Sequence, residues 1–230
     1  MQNMKPLIMA NSLHGFEIHA EDGVVGPIED FYFNDQTWKI SHVVANVGDW
    51  LWDRKVLFDP ELLGHADWRK KFIEASATKE KIINSPDYKT ALPVALQIEK
   101  QVYQPLIAMA TVPEAYWGMH QYIEPLTTDR NGNPDPHLQS ARIIKDSTLI
   151  SEDGKGFGRL LDFLIDTETW DIRFLLLKTN DSRVFLAQPG IVKSIDVSRK
   201  TISVIHPEEE KKEWMEYDPH YMALLEIAQR

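Results

Sequence analysis

With 230 residues, a formal net charge of −10 and no cysteine, the chain rules out several classes of function at once. The length holds one large or two small domains, either able to bury a real core. The acidic balance argues against a nucleic-acid backbone as partner, since phosphate binding rewards clustered Lys and Arg. Missing Cys removes disulfides, thiolate chemistry and Cys-based zinc or iron–sulfur sites.

At the start, Met1 to Ala10 carries one Lys and a short apolar stretch from Leu7, too short for a signal-peptide core. No apolar run reaches the length of a membrane span, so a cytoplasmic location is expected. Phe16 and Ile18 then alternate ahead of a turn at Glu21-Asp22-Gly23. Ile28 to Phe33 is aromatic and β-branched, Asn34 to Thr37 is a turn, and Ile40 to Ala45 is strand-like again. Val56 to Phe58 and Phe72-Ile73 supply further short strands. Pro93 can open a helix that Pro105 stops, with Val94, Ile98 and Val102 on one stripe. Asp129 to Pro136 is dense in turn formers and reads as an exposed hinge. Strands are expected again at Leu160 to Ile165, Ile172 to Lys178, Val184 to Ala187 and Thr201 to Ile205. At the end, Asp218 can cap and Pro219 can start a helix whose Tyr221, Leu224, Leu225 and Ala228 share a face.

The chain repeats itself. Glu21-Asp22-Gly23 recurs as Glu152-Asp153-Gly154, and one extra residue later Gly26 matches Gly158. Asp30-Phe31 then matches Asp162-Phe163, Thr37-Trp38 matches Thr169-Trp170, and Ile40 matches Ile172. From Glu21 to Ile40 that is 9 identities in 20 positions, where average composition gives about one in sixteen. Farther on, Arg54, Leu57 and Pro60 line up with Arg183, Leu186 and Pro189. The fold class expected is mainly β, two small antiparallel barrels in tandem with a few peripheral helices. Residues 1–88 form the first repeat, 89–137 a helical linker and hinge, and 138–230 the second repeat with a C-terminal helix.

The order acidic-Asp-Gly, Gly, Asp-Phe, Trp, then Arg before an apolar strand and Pro resembles the PRC-barrel family. That family includes the cytoplasmic domain of the photosynthetic reaction-centre H subunit and the C-terminal domain of a ribosome maturation factor. The first copy also carries a tail similar to that of stand-alone bacterial members, Pro60 to Gly64, Phe72-Ile73 and Asn84 to Tyr88. The resemblance spans about Ser12 to Tyr88 and Ser140 to Pro219. It departs at Gln104 to Glu114, where related tails run more directly into a Tyr-Trp pair like Tyr116-Trp117. It implies PRC-type barrels and no chemistry, since the family binds and organises other macromolecules.

Candidate chemistry is sparse. The 8 histidines include no i, i+4 pair and no Cys joins them, so no metal is expected. Gly154 to Gly158 is glycine-rich, but a phosphate cradle needs a helix behind it, and Leu160 to Ile165 reads as a strand. Asp22, Asp30, Asp153 and Asp162 recur at matched positions, where an acid/base pair is one reading. The reading preferred is structural: Asp22 and Asp153 as turn residues, Asp30 and Asp162 bonded to the recurring Arg54 and Arg183. Gly26, Gly158, Trp38 and Trp170 complete the repeat-equivalent structural set. Trp50-Leu51-Trp52 lies in a loop where the second copy has Thr179 to Ser182, a candidate contact patch beside the alternative of a barrel cover.

The function expected is a non-catalytic protein-interaction or scaffold module of bacterial type, with no cofactor and an unnamed protein partner. One alternative is a soluble relative of the reaction-centre H subunit acting in electron- or proton-transfer complex assembly. A second is a small-molecule-binding protein or hydrolase at the inter-barrel interface. Surplus apolar segments outside the barrels point to packing against them or to a homodimer, and the homodimer is the expectation taken.

Overall fold

Strands dominate the residues described by a computed structural model of the chain, namely 7–48, 54–90, 92–94, 135–205 and 214–217. The first half contains β1 (Leu7–Met9), β2 (Glu17–Ala20), β3 (Gly23–Asn34), β4 (Lys39–Asn46), β5 (Lys55–Phe58), β6 (Leu63–Asp67) and β7 (Phe72–Ala75). The second contains β8 (Leu138–Ser140), β9 (Thr148–Ile150), β10 (Gly156–Asp166), β11 (Asp171–Thr179), β12 (Val184–Ala187), β13 (Val192–Asp196), β14 (Thr201–Val204) and β15 (Trp214–Glu216). Two short helices interrupt them, α1 (Lys79–Ile83) and α2 (Ala141–Ile144), together with 3-10 turns that include Ala10–Leu13 and Tyr88–Thr90. The mainly β expectation holds.

Local chemistry explains the main hairpins. The Asn34 side chain accepts the Gln36 and Thr37 N–H groups, each at 3.0 Å, and Asp166 accepts the Glu168 N–H at 3.0 Å. These side chains mimic a backbone turn, which is why Asn and Asp start loops. Trp38 and Trp170 close the two turns at φ 55° and 58°, a region that side-chain-bearing residues seldom occupy. Their rings fix them there. Phe33 stacks on Trp38 at 5.4 Å, and Phe31 on Trp170 at 6.3 Å.

The two halves share their pairing registers residue for residue. Asp30 faces Val44 and Phe31 faces Val43, as Asp162 faces Leu176 and Phe163 faces Leu175. A bulge leaves Glu29 unpaired in one ladder and Leu161 in the other. Ile18 runs parallel to Ile73, as Leu149 does to Ile202. The sheet order reads β13-β14-β9-β10-β11-β4-β3-β2-β7-β6, the same sequence of equivalents outward in both directions from its middle. The middle is a single antiparallel contact, Lys39 opposite Asp171, where Ile40 N–H donates to Trp170 O and Ile172 N–H to Trp38 O. This hydrogen-bonded path is open at β6 and β13, so strand pairing does not close it into a ring.

The short leading strand of each half lies in the other half. β1 pairs with β10, Met9 opposite Leu164, and β8 pairs with β3, Ser140 opposite Tyr32. One buried cluster accordingly runs through both halves, from Leu13, Ile18 and Phe33 to Leu149, Phe163 and Ile202. Phe33 meets Phe163 across the middle at 5.4 Å. The apolar surplus at Ile98, Val102, Leu106 to Met109, Tyr116-Trp117 and the face of Tyr221, Leu224 and Leu225 lies outside the described residues.

The recurring glycines have a common cause. A Cβ at Gly26 would fall 1.9 Å from Asn46 O, and one at Gly158 would fall 2.4 Å from Lys178 O. Asn46 and Lys178 occupy equivalent places, so the same backbone approach forbids a side chain twice. By contrast Gly154, at φ 78°, has open space around its missing Cβ. Gly26→Ala and Gly158→Ala should each cost roughly 2–4 kcal/mol through displaced backbone. Gly154→Ala should cost only about 1–2 kcal/mol for its left-handed conformation. Denaturant midpoints for the three variants measure the difference; a Gly158→Ala loss no larger than that of Gly154→Ala would count against the close approach.

Candidate functional site

The recurring carboxylates meet where the halves interlock. The hydroxyl of Ser140, the cap residue of α2, accepts the Ile143 N–H at 3.0 Å and donates to Asp30 Oδ2 at 2.5 Å. Asp30 Oδ1 accepts the Arg142 N–H at 3.0 Å and the N–H of its neighbour Phe31 at 2.8 Å. Asp162 does the same in reverse: its Oδ1 accepts the Asn11 N–H at 3.2 Å and the Phe163 N–H at 2.8 Å. Each carboxylate therefore holds the first helical turn contributed by the opposite half. Helix starts leave N–H groups without partners, and a carboxylate is the natural acceptor.

Both groups are buried, and burial disfavours their charge. It raises the Asp30 carboxyl above the ordinary range, opposed by the Ser140 hydroxyl, the two N–H groups and the Arg142 charge. Burial likewise raises Asp162, opposed by its two N–H donors and the charge of Lys145. Between them lies a cavity of about 30 Å3, lined by side chains that include Asn11, His14, Asp30, Arg142, Lys145 and Asp162. That volume suits a water or two, and not an organic substrate.

The expected Asp–Arg pairs are corrected here. Arg54 donates to Ile83 O at 3.0 Å, and Arg183 pairs with Asp181 at 2.7 Å beside the Phe185 ring. The register explains the miss. Asp30 lies opposite Val44, which faces Leu57, so Arg54 stands two strands across and three residues along, about 14 Å away. Arg183 relates to Asp162 in the same manner, with Leu176 facing Leu186.

The other sequence candidates separate. Asp22 accepts the Lys79 N–H at 2.5 Å at the start of α1. Asp153 holds its own exposed turn through Ser151 and Lys155, and the Lys155 ammonium keeps its carboxyl well below the ordinary range. The glycine-rich run after it leads into strand β10, which lacks the helix N-terminus that a phosphate cradle needs. Trp50, Leu51 and Trp52 lie outside the described residues, as do His120, His206 and His220. Among the described residues no group of three His, Cys, Asp or Glu could hold a metal ion, and no helix is long and apolar enough to cross a membrane.

Sequence reasoning missed Asn11, Ser140 and Arg142. A signal existed, since Leu7 and Ala10 match Leu138 and Ala141 at the same offset of 131 that relates the Glu-Asp-Gly turns. Two common residue types in so short a window are weak evidence by themselves. No protein-family model matches the chain, and no curated protein matches it.

The raised carboxyls set a direction for pH. The folded state holds the Asp30 proton more tightly than the unfolded chain does, so this group's contribution is full below about pH 4 and falls as pH rises through the raised value. Asp30→Asn keeps an acceptor for the N–H groups, donates to the Ser140 oxygen and carries no charge. Its stability relative to the parent should therefore climb between pH 4 and pH 7. Asp30→Ala strands the Arg142 and Phe31 donors and should lose about 2–3 kcal/mol. Thermal melts across pH check both, and a parent-to-Asn difference independent of pH would contradict the assignment.

Proposed function

We propose that this protein is a tandem PRC-barrel protein of bacterial type, a non-catalytic interaction or scaffold module whose two barrels act as one body. The order of its turn, strand and arginine positions supports the family, and the coincident registers of the halves support tandem barrels. The observation that carries the non-catalytic reading is the use made of Asp30 and Asp162. These buried carboxylates recur in both halves, and both are engaged by backbone donors of the opposite half. An acid or base in catalysis needs a substrate within reach, and the cavity beside them holds about 30 Å3. Residues that hold the halves together account for the repeat without any reaction.

The reading places recognition on the outer surface, with Trp50, Leu51 and Trp52 as the first contact to test. Large aromatic side chains dominate binding energy where they are buried by a partner. Full-length protein with and without Trp50→Ala/Trp52→Ala should be cross-linked in a native extract and the captured proteins identified by mass spectrometry. The expected result is a defined set of proteins recovered with the parent and reduced several-fold with the variant. Small-molecule screening by thermal shift should find no saturable ligand. A ligand that raises the melting temperature in the parent and not in Asp30→Asn would overturn the non-catalytic reading.

A further inference from the structure

The outer faces of the two halves differ in polarity at equivalent positions. In the first half, bulged Glu29 pairs with Lys55 at 3.6 Å, and His42 of β4 stands opposite Tyr32. The equivalent positions in the second half are Leu161, Val184 and Phe174. With Met9, Leu186 and Tyr217 they form a layer of partly buried apolar side chains over Leu164 and Leu176. The matching cluster in the first half, Tyr32, Val44, Leu57 and Leu138, has Tyr88 in the place of Tyr217. A contiguous apolar layer on one half, replaced by an ion pair and a histidine on the other, marks a surface with an occupant.

The course of the chain indicates which occupant. Strand β15 pairs with β12, Glu216 opposite Phe185, just as Asp87 bridges to Val56 in the first half. The next residue is Tyr88 in one half and Tyr217 in the other, and each sits in its outer cluster. After Tyr88 the chain turns onto β5 through Tyr88–Thr90, and Pro93 is buried. Residues 218–230 follow Tyr217, which itself packs against the apolar layer. Their sequence sets Tyr221, Leu224, Leu225 and Ala228 on one face of a helix that Asp218 and Pro219 can start. A helix of that length spans about 18 Å. The layer crosses β15, β12, β11, β10 and β1, a width of about 19 Å at ordinary strand spacing.

We propose that the outer apolar face of the second half is the docking site for the chain's own residues 218–230, with Leu224 and Leu225 set against Phe174 and Val184. The first half lacks this apolar layer: its Glu29 and Lys55 pair with each other, and they and His42 are partly buried. Docking the tail adds a second layer of core over this partly buried apolar face of the second half.

The absence of cysteine makes a direct test possible. Full-length chains carrying Phe174→Cys or Val184→Cys together with Leu224→Cys or Leu225→Cys are treated with a short bismaleimide and weighed intact. The expected result is a link within one chain that does not weaken on dilution, while His42→Cys with the same partners gives none. Maleimide labelling of Cys at 174 should also rise about tenfold when the chain is stopped after Tyr217, as expected for loss of local protection. If the truncated chain does not fold, Leu224→Asp/Leu225→Asp in the full chain serves the same purpose. A link between two chains that fades on dilution would assign the face to a second copy and overturn the proposal. So would no link in any pairing with labelling already fast in the full chain.

Discussion

Each half of this protein begins with a strand that it gives away. Among the described residues β1 pairs with β10 and β8 with β3, and the turns that follow them are held by Asp162 and Asp30 of the receiving half. Separating the halves would leave two buried carboxylates without their cross-half donors and two long strands with a bare side. An unsatisfied buried acceptor costs about 1–3 kcal/mol, and more when it is charged. The rest of the architecture follows from that exchange: the shared core, the single contact between Lys39 and Asp171, and the small cavity on the join all exist because the halves cannot settle independently.

Local features of this fold were legible in the sequence because they obey local rules. The turns at Asn34 and Asp166, the strands after them and the glycines at 26 and 158 all follow from residue type and spacing. The exchange was not legible. Asp30 and its Arg142 donor lie 112 residues apart, and what joins them is a backbone N–H, which any residue type supplies. Sequence could show that Asp30 mattered, since it recurs, but not what it meets. Co-occurrence alone points to Arg54 as its partner, and strand register overrules that pairing. Trp38 and Trp170 pose the same difficulty: a left-handed turn closure usually signals Gly or Asn, and here aromatic stacking inside the core holds a large residue in that conformation.

Divergence between the halves carries a second kind of information. Ser140 gives Asp30 a hydroxyl donor, while its counterpart Met9 gives Asp162 none. Arg142 and Lys145 stand where the first half has Asn11 and His14, so one side of the join is more cationic than the other. The carboxylates themselves have not changed. The two halves share the residues that interlock them, and elsewhere each is free to differ.

That freedom gives a way to separate framework from function within one sequence. Gly26, Asp30, Phe31, Trp38 and Ile40 recur because backbone approach, capping, ring stacking and the central contact each demand the same residue twice. Positions whose polarity inverts between halves, Glu29 against Leu161, His42 against Phe174 and Lys55 against Val184, belong to identical registers and so feel no difference in framework demand. The change must answer to something outside the sheet. On the first half an ion pair and an imidazole occupy a partly buried face, whereas Leu, Phe and Val at the same sites gain from apolar contact alone. Recurrence therefore marks what assembles the molecule, and inversion marks what the molecule meets.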